Sequence, residues 1–254
     1  MPTPTPTHQP HAGRIALVTG AASGIGQAVA VGLAERGATV IVAGHGDLKA
    51  TTELITATGN AAIPAPLDVS DPSSIEAVRE QVADEHGHVD VLVNNAGIFE
   101  NATWDELDVE LWQRVMSVDL NGPMLMCKAF LPLMQGRGWG RVINVSSATV
   151  AIASPVSIAY RASKMGVIGF TRGLSATLGD QGITINAVLP SLTRTAMTEG
   201  LPQQVVEASL GRQVIHREAE PADIAGSVFL LASDEASWIT GQTIMANGGN
   251  SFGL

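Results

Sequence analysis

Tyr160 and Lys164 stand four residues apart in a segment that reads as the start of a helix. At that spacing two side chains share one helix face, separated by ~6 Å of axial rise. A phenol ionises near pH ~10 and is a poor base at neutral pH until a cation favours its anion. The Lys164 ammonium does this, which makes Tyr160 a candidate proton donor and acceptor. Ser147 leaves the preceding strand thirteen residues earlier, a hydroxyl suited to hydrogen-bond a substrate oxygen held near the phenol. In isolation the pair also suits an amphipathic helix with a solvent-facing lysine, so the rest of the chain has to decide.

A second chemical stretch is Thr19-Gly20-Ala-Ala-Ser23-Gly24-Ile25-Gly26, between an apolar strand and a helix. Glycines there let backbone approach a pyrophosphate, and a helix N-terminus favours the negative charge. Without a ligand the same residues make a plain glycine-rich turn. Asn94-Asn95-Ala96-Gly97 closes another apolar strand, at the edge where such sheets bind ligands. Asn95 is placed to brace neighbouring strands, and the small Ala96 and Gly97 leave room for a nucleotide. Asp68-Val69 follows a further strand, with a carboxylate suited to an adenine amino group. His86 and His88 have no third ligand nearby and read as surface residues, and no metal site is expected.

These residues need a sheet to hold them. Strand patterns at 14–19, 39–43, 62–67, 89–93, 141–145, 183–188 and 240–246 alternate with helical ones, including 111–134 and the Tyr160 helix to about 179. That alternation means βαβ units with right-handed crossovers. The fold expected is α/β, a single doubly wound Rossmann-like domain with a mainly parallel seven-stranded sheet and helices on both faces. It spans 13–254, with a substrate loop at about 191–220, after a flexible Pro/Thr tail at 1–12 containing His8 and His11. An apolar content of 45% with only 15% charged residues fits strands covered on both sides. A net charge of −10 argues against nucleic acid and anionic membrane surfaces as partners. No apolar run reaches the ~20 residues of a membrane span. The lone Cys127 and the absence of a signal pattern point to a reducing, cytoplasmic setting.

Taken together, TGAASGIG at 19–26, NNAG at 94–97, Ser147, YRASK at 160–164, and Asn186-Ala-Val-Leu-Pro190 with Thr195 resemble the short-chain dehydrogenase/reductase family from Arg14 onward. The resemblance implies a nicotinamide cofactor and reversible hydride transfer between alcohol and ketone. By it Tyr160 is the acid/base, Ser147 positions the carbonyl oxygen, and Lys164 binds the nicotinamide ribose and lowers the Tyr160 pKa. The implied cofactor contacts are Gly20, Ser23, Gly24, Ile25, Gly26, Gly44, His45, Asp68, Val69, Asn95, Ala96, Gly97, Tyr160, Lys164, Pro190, Leu192 and Thr195. Substrate contacts would be Ser147, Thr149, Ile152, Ala153, Tyr160, Ser191 and Met197. Within the family, WGRVINVSS at 139–147, PSLTRTAMTE at 190–199 and LASDEASWITGQT at 231–243 look like the (S)-1-phenylethanol dehydrogenase-like branch acting on secondary alcohols.

Two positions depart from the family pattern. Asp119 stands where the family usually has an asparagine that helps hold a water in the proton relay ending at Lys164. Its charge either weakens the effect of Lys164 on Tyr160 or leaves the relay to its backbone. After the second strand, Gly44-His45 replaces the aspartate usual in NAD enzymes, and Ser23 and His45 replace the arginine or lysine usual in NADP enzymes. NAD and NADP both remain open, with a lean to NAD because no permanent cation is present. The expected substrate is a neutral, partly hydrophobic alcohol or ketone, because Ala148, Thr149, Ile152, Ala153, Ile98, Phe99, Leu192 and Met197 include no base to clamp a carboxylate. The alternatives are a 3-oxoacyl-carrier-protein reductase, a sugar or polyol dehydrogenase, and a dinucleotide-binding sensor without catalysis. A homotetramer is expected, from excess apolar residues on 111–134 and 158–177 such as Leu125, Met126, Phe130, Met165, Val167, Ile168 and Phe170.

Overall fold

The computed structural model describes residues 9–253. In chain order the strands are β1 (Ile15–Thr19), β2 (Thr39–Gly44), β3 (Ala62–Pro66), β4 (Val91–Asn94), β5 (Gly140–Val145), β6 (Ile183–Val188) and β7 (Thr243–Ile244). The helices are α1 (Gly24–Glu35), α2 (Lys49–Ala57), α3 (Pro72–His86), α4 (Val109–Met116), α5 (Gly122–Met134), α6 (Ile158–Ser175), α7 (Gln203–Arg212) and α8 (Pro221–Leu231). The seven strands form one sheet in the order β3-β2-β1-β4-β5-β6-β7, and every neighbouring pair is parallel. This is the doubly wound, Rossmann-like α/β architecture expected. Chain direction across the sheet reverses between β1 and β4, which opens a crevice at their carboxyl ends.

Period-two alternation divides the core. Ala16 and Val18 of β1, with Val40 and Val42 of β2, pack under α1 and α8, while Leu17 and Ile41 pack under α3 and α5. Local signals fix the helix ends. Asp71 accepts a hydrogen bond from the Ser73 amide at 2.9 Å, Pro72 takes the first helical position, and Gly87 ends α3 in the left-handed region at φ +74°. Glu220 and Asp223 form a capping box around Pro221 at the start of α8.

The structure corrects several expectations. The helix expected at 111–134 begins at Val109, where Asp108 caps it, and is interrupted by a π-helical turn, Ser117–Asn121. Such turns insert one residue and re-aim side chains, often at functional sites; this one carries Asp119 inward. The last strand shrinks to two residues because the Thr240 hydroxyl and the Gly241 amide bond the Ile185 backbone and the Gln242 amide bonds the Asn186 side chain, instead of forming a regular ladder with β6. α6 stops at Ser175 rather than near 179.

Residues 9–12 of the expected tail pack against the fold, while 1–8, with His8, lie outside the described residues. The His11 amide donates to the Arg36 carbonyl at 2.9 Å, and its ring, 1% exposed, sits beside Arg14. Gly37 (φ +96°) makes the docking possible, since a Cβ there would meet Ala12 backbone at 3.0 Å. Met126, Phe130, Val167 and Ile168 are not surplus apolar surface, because all four lie buried in the chain's own core. Met124 and Met165 remain exposed on α5 and α6, alongside Trp104, Val109 and Trp112 near α4. Among the described residues no helix is long and apolar enough to cross a membrane.

Candidate active site

Two clusters of residues meet at the carboxyl ends of β1, β4, β5 and β6. The first is made of backbone. The β1–α1 turn passes through Gly20 (φ +64°) and Gly24 (φ +57°), a conformation that side-chain-bearing residues rarely adopt. A Cβ on Gly20 would lie 2.9 Å from the Ala96 Cα, and one on Gly26 would lie 2.2 Å from the Gly20 carbonyl oxygen. Thr19, the first residue of the glycine motif, to whose hydroxyl the sequence alone assigns no role, is the hub of this cluster. Its hydroxyl accepts from both the Asn95 and Ala96 amides at 3.0 Å and donates to the Val93 carbonyl. Asn95 returns its side-chain amide to the Thr19 carbonyl at 2.9 Å and to that of Gly20 at 3.3 Å. Asn95 thus braces β1 against β4.

Ser23 and Ile25 open α1, and Ser23 makes no capping bond with its side chain, so the first-turn amides have no side-chain partner. Thr195 closes over this turn, its methyl 3.0 Å from where a Gly24 Cβ would be. Gly44, at the end of β2, is buried, and a Cβ there would sit 3.4 Å from the Gly20 Cα. A cradle of backbone that any Cβ would fill, at an uncapped helix N-terminus, fits the pyrophosphate of a dinucleotide.

Around this cradle the expected contacts divide. His45 and Ser23 are exposed at the rim. Asp47, exposed nearby, accepts from the Lys49 amide at 2.8 Å through one carboxylate oxygen. Asp68 stays half exposed while Ser70 donates both its amide (2.8 Å) and its hydroxyl (2.6 Å) to one carboxylate oxygen. Those two bonds hold its pKa below the usual carboxylate range. The Val69 side chain is turned into the core against Gly122, so that only its backbone faces outward.

The second cluster is made of side chains. Ser147 ends β5 and caps a short 3₁₀ turn, Ala148–Ala151. Its oxygen accepts from the Thr149 amide at 3.2 Å and the Thr149 hydroxyl at 2.9 Å, which leaves its own proton to donate to a ligand. Helix α6 is bonded to the same strand end: the Ser146 hydroxyl donates to the Lys164 carbonyl at 2.8 Å, and Lys164 Nζ to the Val145 carbonyl at 3.2 Å. Lys164 Nζ lies 5.5 Å from the centre of the Tyr160 ring, and Phe99 stacks edge-on to that ring at 5.1 Å. The Pro190 carbonyl accepts from the Ala148 amide at 2.8 Å, which joins the Ser147 turn to the end of β6.

Asp119 reaches the cluster from the π turn. It is 0% exposed; Oδ1 accepts from the Ile98 amide at 2.8 Å, and Oδ2 stands 3.4 Å from Lys164 Nζ. Burial pushes the Asp119 carboxyl above its usual range, against the pull of Lys164 and of the Ile98 amide. Burial also draws the Lys164 ammonium down, but the Asp119 charge, Tyr160 and the contact with Asp119 together outweigh it, so the ammonium is held above its usual range.

On the outer side, Arg161, the second residue of the YRASK motif, is a neighbour to which the sequence alone assigns no role. Its guanidinium donates to the carbonyls of Thr149, Ile152 and Val156 and so latches the loop that carries the expected substrate contacts. Ile152, Ser191 and Leu192 are half buried, whereas Ala153 and Met197 are exposed. The excursion 191–220 is tied at its base by the Arg194 amide on the Ala219 carbonyl (2.8 Å) and by ion pairs from Arg194 to Glu218 and Glu220. Surface grooves of about 520 and 590 Å³ lie elsewhere, around β7 and Phe252. The convergence of buried polar groups, not groove volume, marks the chemical centre. Among the described residues no cluster of His, Cys, Asp and Glu could hold a metal ion.

A family model described as enoyl-(acyl carrier protein) reductase matches residues 20–251. The chain is 41% identical to a cis-4-hydroxycyclohexanecarboxylate dehydrogenase of Sinomonas cyclohexanicum, over 93% of this chain and 96% of that protein. It is 40% identical to a 3-oxoacyl-[acyl-carrier-protein] reductase of Vibrio cholerae, over 93% and 97% of the two chains. Among solved structures, a dehydrogenase/reductase from Sinorhizobium meliloti 1021 superposes with a TM-score of 0.91 at 33% identity, over 97% of this chain and 98% of the other.

Proposed function

The chain belongs to the short-chain dehydrogenase/reductase family, whose members use nicotinamide cofactors, and from that premise we propose an NAD(P)-dependent alcohol dehydrogenase/ketone reductase acting on secondary alcohols and their ketones. The observation that carries this is the buried Lys164 ammonium beneath the Tyr160 ring, on a helix bonded to the strand that ends in Ser147. The nicotinamide, when bound, supplies or takes the hydride. Ser147 donates its free proton to the substrate oxygen. Tyr160 gives a proton to that oxygen in reduction and removes it in oxidation, and Lys164 lowers the cost of the phenolate. The glycine turn, Asn95 to Gly97 and Thr195 would hold the cofactor.

The substrate class is neutral and hydrophobic. Phe99 stacks on Tyr160, Ile152 and Leu192 are half-buried apolar side chains of the expected lining, and the cation next to Tyr160 on α6, Arg161, directs N–H groups to three backbone carbonyls. The relative named for cis-4-hydroxycyclohexanecarboxylate acts, by its name, on a ring carrying a secondary alcohol, which supports that part of the reading, while its carboxylate lies outside a neutral class. For the cofactor, both NAD and NADP are accepted with NAD ahead, because the rim at Ser23 and His45 carries no permanent cation. The working form is a cytoplasmic homotetramer built on the exposed α4–α6 side, and a monomer by light scattering at micromolar concentration would refute it.

A second reading, a 3-oxoacyl-carrier-protein reductase, is favoured by the relatives of that name. It needs a basic docking face for an acidic partner, which a chain of net charge −10 does not favour. Following NADH and NADPH absorbance with aryl and cyclic ketones beside a carrier-bound 3-oxoacyl thioester decides between them. Faster turnover of the thioester would overturn the first reading, and no turnover of any carbonyl would overturn both.

A further inference from the structure

With Tyr160 read as the proton carrier, a second role falls to Asp119, and it stands only if that reading of Tyr160 does. Apart from its charge, which faces Lys164, Asp119 is needed structurally through one oxygen only. Oδ1 accepts the Ile98 amide, and a neutral side-chain amide would do so equally well. The second oxygen makes no well-directed hydrogen bond and faces the Lys164 ammonium. Gly97 lets the two meet, since a Cβ there would stand 3.2 Å from Lys164 Nζ and 3.5 Å from both carboxylate oxygens. The pair is 0% and 4% exposed, so solvent screens it little. The lysine therefore reaches Tyr160 as half of an ion pair, not as a bare cation.

We propose that Asp119 is a positioning residue that sets the pH at which Tyr160 releases its proton: paired with Lys164, it cancels part of the cationic field at the phenol. A negative charge added to the cluster makes a further negative charge, the phenolate, harder to form. Carbonyl reduction draws on the phenol and alcohol oxidation on the phenolate, so the pair favours reduction over oxidation. The other charged groups around Tyr160 are Arg161, next to it on α6, and Arg212 of α7 beyond Arg161. Neither contacts Asp119, so both act alike with and without its charge.

Tyr160 is the single tyrosine of the chain. The ultraviolet absorbance of its phenolate therefore titrates this one group, with neither cofactor nor substrate present. Asp119→Asn keeps the shape and the acceptor for Ile98 and removes the charge. Its phenolate midpoint is expected about one pH unit below that of the parent, a tenfold change in ionisation constant. The alkaline limb of kcat/KM for oxidation should move the same way. Titrations that coincide, or that move to higher pH, would overturn the inference. Should Asp119→Asn not fold, Asp119→Ser, equally uncharged, is judged by the same two curves. Retained turnover in Tyr160→Phe would instead remove the reading of Tyr160 itself. Lost turnover in that variant with coincident titrations of Asp119→Asn would overturn the role of Asp119 alone.

Discussion

The two walls of the crevice are built by opposite means. On the β1–α1 side the fit is made by backbone: Gly20, Gly24 and Gly26 bring main chain against Asn95, Ala96 and Thr195, with the Thr19 hydroxyl tying the pieces. On the β5–α6 side it is made by polar and charged side chains, the half-buried Tyr160 with the buried Ser147, Lys164 and Asp119, of which Lys164 and Asp119 are held by a carbonyl and an amide from distant segments. The first wall is sensitive to any added atom and offers shape and partial charge. The second tolerates changes of shape poorly for a different reason, because each group there has a protonation state to keep. Surface ion pairs show the contrast in cost: Arg79 with Glu76 at 2.6 Å is exposed to solvent and contributes little, whereas Lys164 without Asp119 would be a buried charge short of a counter-ion.

Breaking the side-chain wall should give the largest effect. Tyr160→Phe is expected to lower turnover by at least ~10²-fold, the loss typical for a general acid–base group, while cofactor binding stays nearly intact. Steady-state rates and a cofactor titration by tryptophan fluorescence measure the two separately, and parallel losses would erase the division between walls. On the backbone wall the reverse pattern is expected. Gly26→Ala puts a methyl 2.2 Å from the Gly20 oxygen and 2.5 Å from the Asn95 side chain. The loop must yield, at a cost of about 1–3 kcal/mol for overpacking, and cofactor affinity should fall while the phenolate titration of Tyr160 is unmoved.

Thr19→Val sharpens the same comparison by removing a hydroxyl and adding almost no volume. The Asn95 and Ala96 amides lose their shared acceptor, and the expected cost is ~1–3 kcal/mol of stability for buried donors left unpaired. Chemical denaturation reads that loss, and an unchanged midpoint would mean that water replaces the hydroxyl.

The smallest effect is placed away from both walls, at His11. Burial, reinforced by Arg14 and Arg36, lowers its pKa to about 4. Folded His11 therefore stays neutral where the unfolded chain takes up a proton near pH ~6.5. Its contribution is complete above that pH and is lost as pH falls toward 4. The melting temperature of His11→Gln should accordingly show a weaker acid dependence than the parent over this window, and identical slopes would reject the docking of residues 9–12 as a source of stability.

What could be read in the sequence was local. Strand and helix order followed from period-two and 3.6-residue patterns, and the ends of α3 at Asp71-Pro72 and Gly87 are of the same local kind, because capping is decided within a few residues. The glycines of the β1–α1 turn announced a close approach of backbone, because glycine has no side chain to stand in the way. The spacing of Tyr160 and Lys164 placed both on one helix face, because the helix period fixes it.

The remaining features depended on which strands become neighbours. Thr19 becomes a hub only when β4 lies beside β1, and Arg161 becomes a latch only when the 148–156 loop folds back over α6. His11 becomes core only because the chain before β1 meets Gly37. Whether Asp119 pointed at Lys164 or away from it was undecided in one dimension, because an ordinary α-helix and a π turn at that point send the side chain in different directions. The buried Ile98 amide and the Lys164 ammonium supply the partners that favour the inward direction. Sequence alone determined that a carboxylate stands in this position, and the tertiary structure decided that its charge is spent on the lysine beneath Tyr160, since only the packed fold removes the water that would otherwise screen the two.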